Sequence, residues 1–194
     1  MNRTRLPIRT LVLILGFAST CLIGCGASPT AESKKNPAAD QATADLKNAG
    51  SAIPGHMAAA YGIIAASRNA QGETRNKLLA SAKAELDATL KLDPNHAEAL
   101  ANRGVLSLEM GRPNIAIKDL ELSAKIDPKS ANTHYNLACA YSLAGKPDLG
   151  FDALQLALDS GFSDFDLLRS DPQLRAIRSL PGFKEMLSRR KIGQ

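Results

Sequence analysis

The body of this 194-residue chain repeats itself every 34 residues. Leu92-Asp93-Pro94 returns as Ile126-Asp127-Pro128, and Met110-Gly111-Arg112-Pro113-Asn114 returns as Ala144-Gly145-Lys146-Pro147-Asp148. At the same offset Gly104 pairs with Ala138, Leu106 with Ala140, Ala116 with Gly150, and Leu120 with Leu154. A period of this length marks one supersecondary unit that cannot bury its apolar face alone. The units must therefore stack, each touching only its neighbours.

Each period predicts two helices. After the Asp-Pro breaker, Asn95 or Ser130 can cap the first helix. That helix ends at Gly111 or Gly145, which can adopt the left-handed conformation that closes a helix. Two residues later Pro113 or Pro147 suits the first turn of the second helix, where a missing N–H is harmless. The second helix ends before Pro128, or at Gly161 in the last unit. Small residues at the expected crossings, Gly104 and Ala116, then Ala138, Gly150 and Ala157, let axes approach. Leu106, Ile115, Leu120, Leu137, Leu154 and Leu158 are expected to supply the buried stripe. Aromatics make up 4% of the chain and Trp is absent, which suits packed helices better than a sandwich of sheets.

This pattern resembles the tetratricopeptide repeat, over residues 97–130 and 131–162. The family's first-helix series falls on His134, Leu137, Ala138 and Tyr141 in the second unit. In the first it falls on Leu100, Arg103, Gly104 and Ser107, with Arg103 standing where the family prefers Leu. The second-helix series falls on Ala116, Leu120 and Ser123, then Gly150, Leu154 and Ala157. Upstream, Ala82, Leu86 and Asp93-Pro94 fit the end of an earlier unit, although Gly72 comes too early for the family's turn. Residues 56–94 are therefore expected to form a degenerate first unit, helical over 56–70 and 74–91. The resemblance implies an all-α fold, a right-handed superhelical stack of helix hairpins.

After Gly161 the period breaks. Asp171-Pro172 and Pro181 can each start a short helix. Phe162, Leu167, Leu168, Leu174, Ile177, Leu180, Phe183 and Leu187 form an apolar set. Such a set can cover the last face of the stack, so residues 163–194 are expected to be capping helices and a tail.

The resemblance also implies a concave face lined by the first helix of each pair. Its expected groove residues are Glu98, Ala101, Asn102, Val105, Leu108 and Glu109, then Asn132, Tyr135, Asn136, Cys139, Ser142 and Leu143. Asn102 and Asn136 could hydrogen-bond an extended peptide backbone, or could satisfy neighbouring helix ends. Tyr135 is the expected anchor. No lysine stands where a peptide carboxylate would be clamped.

The N-terminus has a different character. Arg3, Arg5 and Arg9 precede the apolar run LVLILGFA at residues 11–18, and small residues follow. This is the layout of a secretory signal peptide. Leu22-Ile23-Gly24-Cys25 resembles a bacterial lipobox, which implies that residues 1–24 are removed and that Cys25 carries lipid. An uncleaved anchor, cleavage near Ala18-Ser19-Thr20, and a Cys21–Cys25 pair are the alternatives. Residues 25–55 are poor in large apolar side chains and are expected to be a disordered tether. The formal charge of +5 falls to +2 without residues 1–24, which gives no electrostatic case for nucleic acid.

Chemistry-bearing motifs are scarce. His56, His96 and His134 are scattered, and Asp159, Asp164 and Asp166 lack calcium-loop spacing. Cys139 falls on a helix without a nearby base to activate it. No metal or cofactor is implied. The expected function is a lipid-anchored, exported bacterial envelope protein that binds a protein or extended peptide without catalysis. The alternatives are an envelope-acting hydrolase or metal-dependent enzyme, and a self-associating module. The oligomeric state is not legible in the sequence.

Overall fold

The computed structural model describes the backbone of residues 37–190 and the side chains of residues 50–190. The expected signal segment and Cys25 lie outside the described residues. The elements are α1 (Pro37–Asn69), α2 (Gly72–Leu92), α3 (Ala97–Glu109), α4 (Pro113–Ile126), α5 (Ala131–Leu143) and α6 (Pro147–Asp159). Then come α7 (Phe165–Ser170), a 3-10 turn at Pro172–Leu174, α8 (Arg175–Arg178) and α9 (Pro181–Arg189). There is no strand among the described residues. Each helix packs on the next, α1 on α2 through α5 on α6, and the 3-10 turn and α8 close against α5 and α6.

The repeated punctuation does the work its residue types suggest. Gly111 and Gly145 have φ of 71° and 73°. The N–H of Gly111 reaches Leu108 O at 2.9 Å and that of Arg112 reaches Ser107 O at 2.8 Å. Gly145 and Lys146 repeat both bonds on Ser142 and Tyr141, as do Gly161 and Phe162 on Leu158 and Ala157. Carbonyls that the helix end would strand are thus satisfied. Pro113 and Pro147 open α4 and α6.

Capping differs between the units. Ser130 caps α5 through a bond from Thr133 N. In α3 the cap is His96, not Asn95: its Nδ1 accepts from Ala99 N at 3.2 Å. Asn95 lies one residue too early, and its own N–H is held by Asp93 Oδ1 at 3.0 Å.

The close crossings are real. A Cβ on Gly104 would lie 2.7 Å from Leu120 Cγ, and one on Gly150 would lie 2.7 Å from Ile177 Cδ1 and 3.0 Å from Ala138 O. Of the expected stripe, Leu106, Leu120 and Leu154 are fully buried, and Leu137 and Leu158 nearly so. Ile115 is not part of it, being half exposed; Ile117 takes the inward direction on α4. Two apolar clusters result, and α3 joins them. It gives Ala99, Leu100 and Leu106 to one with α1 and α2, and Ala101 and Leu108 to the other with α4 to α9.

The N-terminal boundary departs from expectation. Helix α1 begins at Pro37, so residues 37–55, expected within the tether, are helical. Alanine is the best helix former and Pro37 suits a first turn. A helix already nucleated by packing of Met57, Ala60 and Ile64 against α2, with Ile53 packed beside them, can extend past its packed part. The long second helix expected over 74–91 is α2, which starts at Gly72 with φ of 58°.

Candidate partner-binding face

The first helices of the three pairs, α1, α3 and α5, carry the residues expected to line a groove. On α3, Tyr61 of α1 donates its hydroxyl to Glu98, and Asn102 Nδ2 donates to the same hydroxyl oxygen at 3.2 Å. Burial first, then the Glu98 carboxylate, pushes the Tyr61 hydroxyl well above the usual tyrosine range. At the other end of α3, Arg75 of α2 pairs with Glu109 at 2.5 Å. Burial raises the Glu109 carboxyl, and Arg75 and Arg68 oppose it. Between these ends Ala101, Asn102 and Val105 are fully buried. Asn102 therefore serves Tyr61 through its Nδ2 and is closed to a peptide by burial, its Oδ1 standing without a protein partner among the described residues.

Arg103 faces the other way. Its Nε and Nη2 hold Asp119 of α4 at 2.8 and 2.7 Å, and its Nη1 holds Asp87 of α2 at 2.9 Å. Bonding to Asp119 raises the guanidinium despite the opposing effect of burial. Burial works against ionising Asp87, but Lys83 and Arg103 win and hold its carboxyl below the usual range. The departure from the family's Leu is thus an ionic clasp across three consecutive helices.

On α5 the expected groove is filled by the chain's own C-terminal segment. The ring of Tyr135 is fully buried and stacks on Phe162, with centroids 4.3 Å apart and planes 6° from parallel. Its hydroxyl donates to Asp171 Oδ2 at 2.6 Å, and the Cys139 thiol donates to the same oxygen at 3.7 Å. Asp171 Oδ1 accepts from Gln173 N at 2.8 Å, capping the 3-10 turn, and Arg178 donates to the Asp171 carbonyl. Burial pushes all three titratable groups up, Tyr135, Cys139 and Asp171 alike.

The expected anchor is therefore corrected. Tyr135 is a core residue that fastens the cap, and Asn136, Cys139 and Ser142 are buried beside it. Sequence reasoning assigned Asp171 only a capping role. Nothing in the sequence signals more, because the contact joins residues 36 apart through a segment outside the repeat.

What stays accessible of the expected groove is its rim. Glu98, Glu109 and Asn132 are partly exposed, and Leu143 is exposed. The histidines hold structural contacts. His56 Nδ1 meets Glu85 at 2.7 Å and His134 Nε2 meets the Pro128 carbonyl at 2.9 Å. A cleft of about 430 Å³ between α6 and α9 is lined by Phe151, Gln155, Met186, Arg189 and Arg190 among others. Its arginines are engaged, Arg189 with Glu185 and Arg190 with Asp159. Among the described residues no cluster of His, Cys, Asp and Glu could hold a metal ion, and no helix is long and apolar enough to cross a membrane.

Residues 97–130 match the family model of the tetratricopeptide repeat. The chain is 40% identical over 67 residues to a chloroplastic protein of Arabidopsis thaliana, a stretch that is 34% of this chain and 20% of that protein. It thus spans about a fifth of that relative's length. A solved structure, a thermophilic tetratricopeptide-repeat protein of Thermus thermophilus, superposes with a TM-score of 0.54 at 20% identity, covering 64% of this chain and 68% of that one. Another, titled MamA RS-1 ArsTM double mutant, gives 0.44 at 20% identity over 78% of this chain and 96% of that one. The fold-level likeness rests on the Thermus protein. The chain carries a tetratricopeptide repeat within an all-helical stack of helix pairs.

Proposed function

We propose that this chain is a lipid-anchored bacterial envelope protein whose helical stack holds a protein partner and performs no chemistry. The repeat at residues 97–130 carries this reading, because stacked helix pairs present a continuous surface fit for another chain. The anchoring half rests on Leu22-Ile23-Gly24-Cys25 behind the apolar run. The partner meets the rim that remains accessible, Glu98, Asn132 and Leu143, since the floor is occupied by α1 and the cap.

Two measurements test the halves separately. Metabolic labelling with a fatty-acid analogue should mark the wild type and spare Cys25→Ala; label on that variant overturns the anchor. Affinity capture from membranes should lose a specific partner when Glu98→Lys and Leu143→Glu are combined. An unchanged set of captured proteins removes the rim from the reading.

A further inference from the structure

The outward faces of α4 and α6 repeat each other in shape and oppose each other in charge. Ile115 and Leu122 on α4 become Leu149 and Leu156 on α6, one 34-residue period later. All four are between 39 and 51% exposed, although they are large and apolar. Along the flank of each row, Lys118 and Lys125 on α4 become Asp152 and Asp159 on α6. The spacing of three and seven residues keeps each row and its flank on one helical surface. These four charged residues are exposed. Asp159 holds Arg190 at 2.7 Å, whereas Lys118, Lys125 and Asp152 join no ion pair among the described residues.

Within one molecule the lysine column and the aspartate column cannot meet, because both helices face outward in the same sense of the repeat. A second copy removes that obstacle. A two-fold axis parallel to the helices, midway between the two columns, keeps every residue at its own height. It sets Lys118 and Lys125 against the partner copy's acidic column and the acidic column against the partner copy's lysines. The exposed apolar rows close between them. Such a contact is isologous and self-limiting, and opposite columns fix its register. We infer that the α4–α6 face is a homodimer interface of this chain. The inference is independent of the proposed partner rim, which lies on other helix faces.

The test uses the full-length chain in one detergent throughout, so that any association through the N-terminal segment is common to all samples. Sedimentation and light scattering should find a dimer. The variant K118D/K125D carries two acidic columns, and D152K/D159K carries two basic ones. Each alone should dimerise at least about tenfold more weakly, a change of about 1.4 kcal/mol. An equimolar mixture of the two should recover wild-type affinity as a heterodimer. Circular dichroism confirms that both remain folded, and D152K alone, which breaks no ion pair, controls for the bond to Arg190 that D159K gives up and should weaken the dimer in the same direction. A monomeric wild type overturns the inference. So does association that neither variant alters, or a mixture that recovers nothing. Pelleting of a monomeric wild type with anionic vesicles, lost in K118D/K125D, would also overturn it and assign the face to lipid.

Discussion

The two repeat units share a backbone plan and hold themselves together by opposite means. In the unit of α3 and α4, Arg103 clasps Asp119 and Asp87 across neighbouring helices. One period on, the equivalent positions are Leu137 and Ala153, both buried. On the inner face the contrast reverses. Ala101 is small and simply covered, whereas its equivalent Tyr135 stacks on Phe162 and bonds Asp171. The repeat thus fixes where a side chain stands, and the neighbour decides which chemistry is stable there. An internal unit has helices on both sides and can share charges among three of them. The last unit has only a short closing segment to meet, so it needs a large aromatic and a buried acid.

The strongest way to break this contrast is at its aromatic end. Tyr135→Ala should cost about 3–5 kcal/mol, the range for deleting a large buried aromatic. Chemical unfolding measures the loss, and proteolysis should cut first after Gly161. Tyr135→Phe keeps the stack but leaves Asp171 without one donor, so about 1–3 kcal/mol is expected. Equal losses for the two variants would mean that the stack contributes little.

The ionic end gives a sharper comparison. Arg103→Leu strands the mostly buried Asp119 and should cost about 1–3 kcal/mol, less than a fully buried pair because Arg103 is partly exposed. Adding Asp119→Ala recreates the arrangement of Leu137 and Ala153, and should return stability to within about 1 kcal/mol of wild type. A double variant as weak as the single one would show that Asp87 needs the arginine.

The caps come next. Ser130→Ala should cost about 1 kcal/mol, and Gly145→Ala about 1–2 kcal/mol, since alanine at a φ of 73° is strained. Thermal unfolding of each variant checks both values.

The smallest effect separates the two units by pH. The folded value of Asp171 is raised above its ordinary one, so the native cap binds its proton more tightly than the unfolded chain. The cap should gain stability as pH falls through that raised value toward the ordinary 3.8. Asp87 behaves oppositely. Its folded value is lowered, so its contribution is present above the ordinary value and lost as pH falls through the folded one. Amide exchange, corrected for the intrinsic rate, should slow at Gln173 and Leu174 in acid and quicken at α2. Asp171→Asn should flatten the first trend alone.

Much of the architecture was legible because the punctuation is chemical. Gly111, Gly145, Gly161, Pro113, Pro147 and Ser130 each have one job that few residue types can do, and each does it. His96 was missed as a cap because an imidazole accepts an N–H only in the neutral ring, an unusual use of the residue. The onset of α1 was missed because lack of large apolar residues argues against a core, not against a helix extended from one. The floor of the groove was misjudged for a different reason. Periodicity places Tyr135, Asn136 and Cys139 on a face, but what covers that face comes from the aperiodic segment after Gly161. No repeat pattern encodes where such a segment folds back.

Helix α1 has a mechanical consequence. Its 33 residues span about 50 Å, against about 32 Å for the 21 of α2 that lie along it. Some 18 Å of rod therefore projects beyond the stack, according to the same rise per residue. A push at the far end of this strut acts on the stack through a lever arm of about 18 Å. Pro54 lies inside α1 and has no N–H to give the preceding turn, so it is the point at which that lever would yield first.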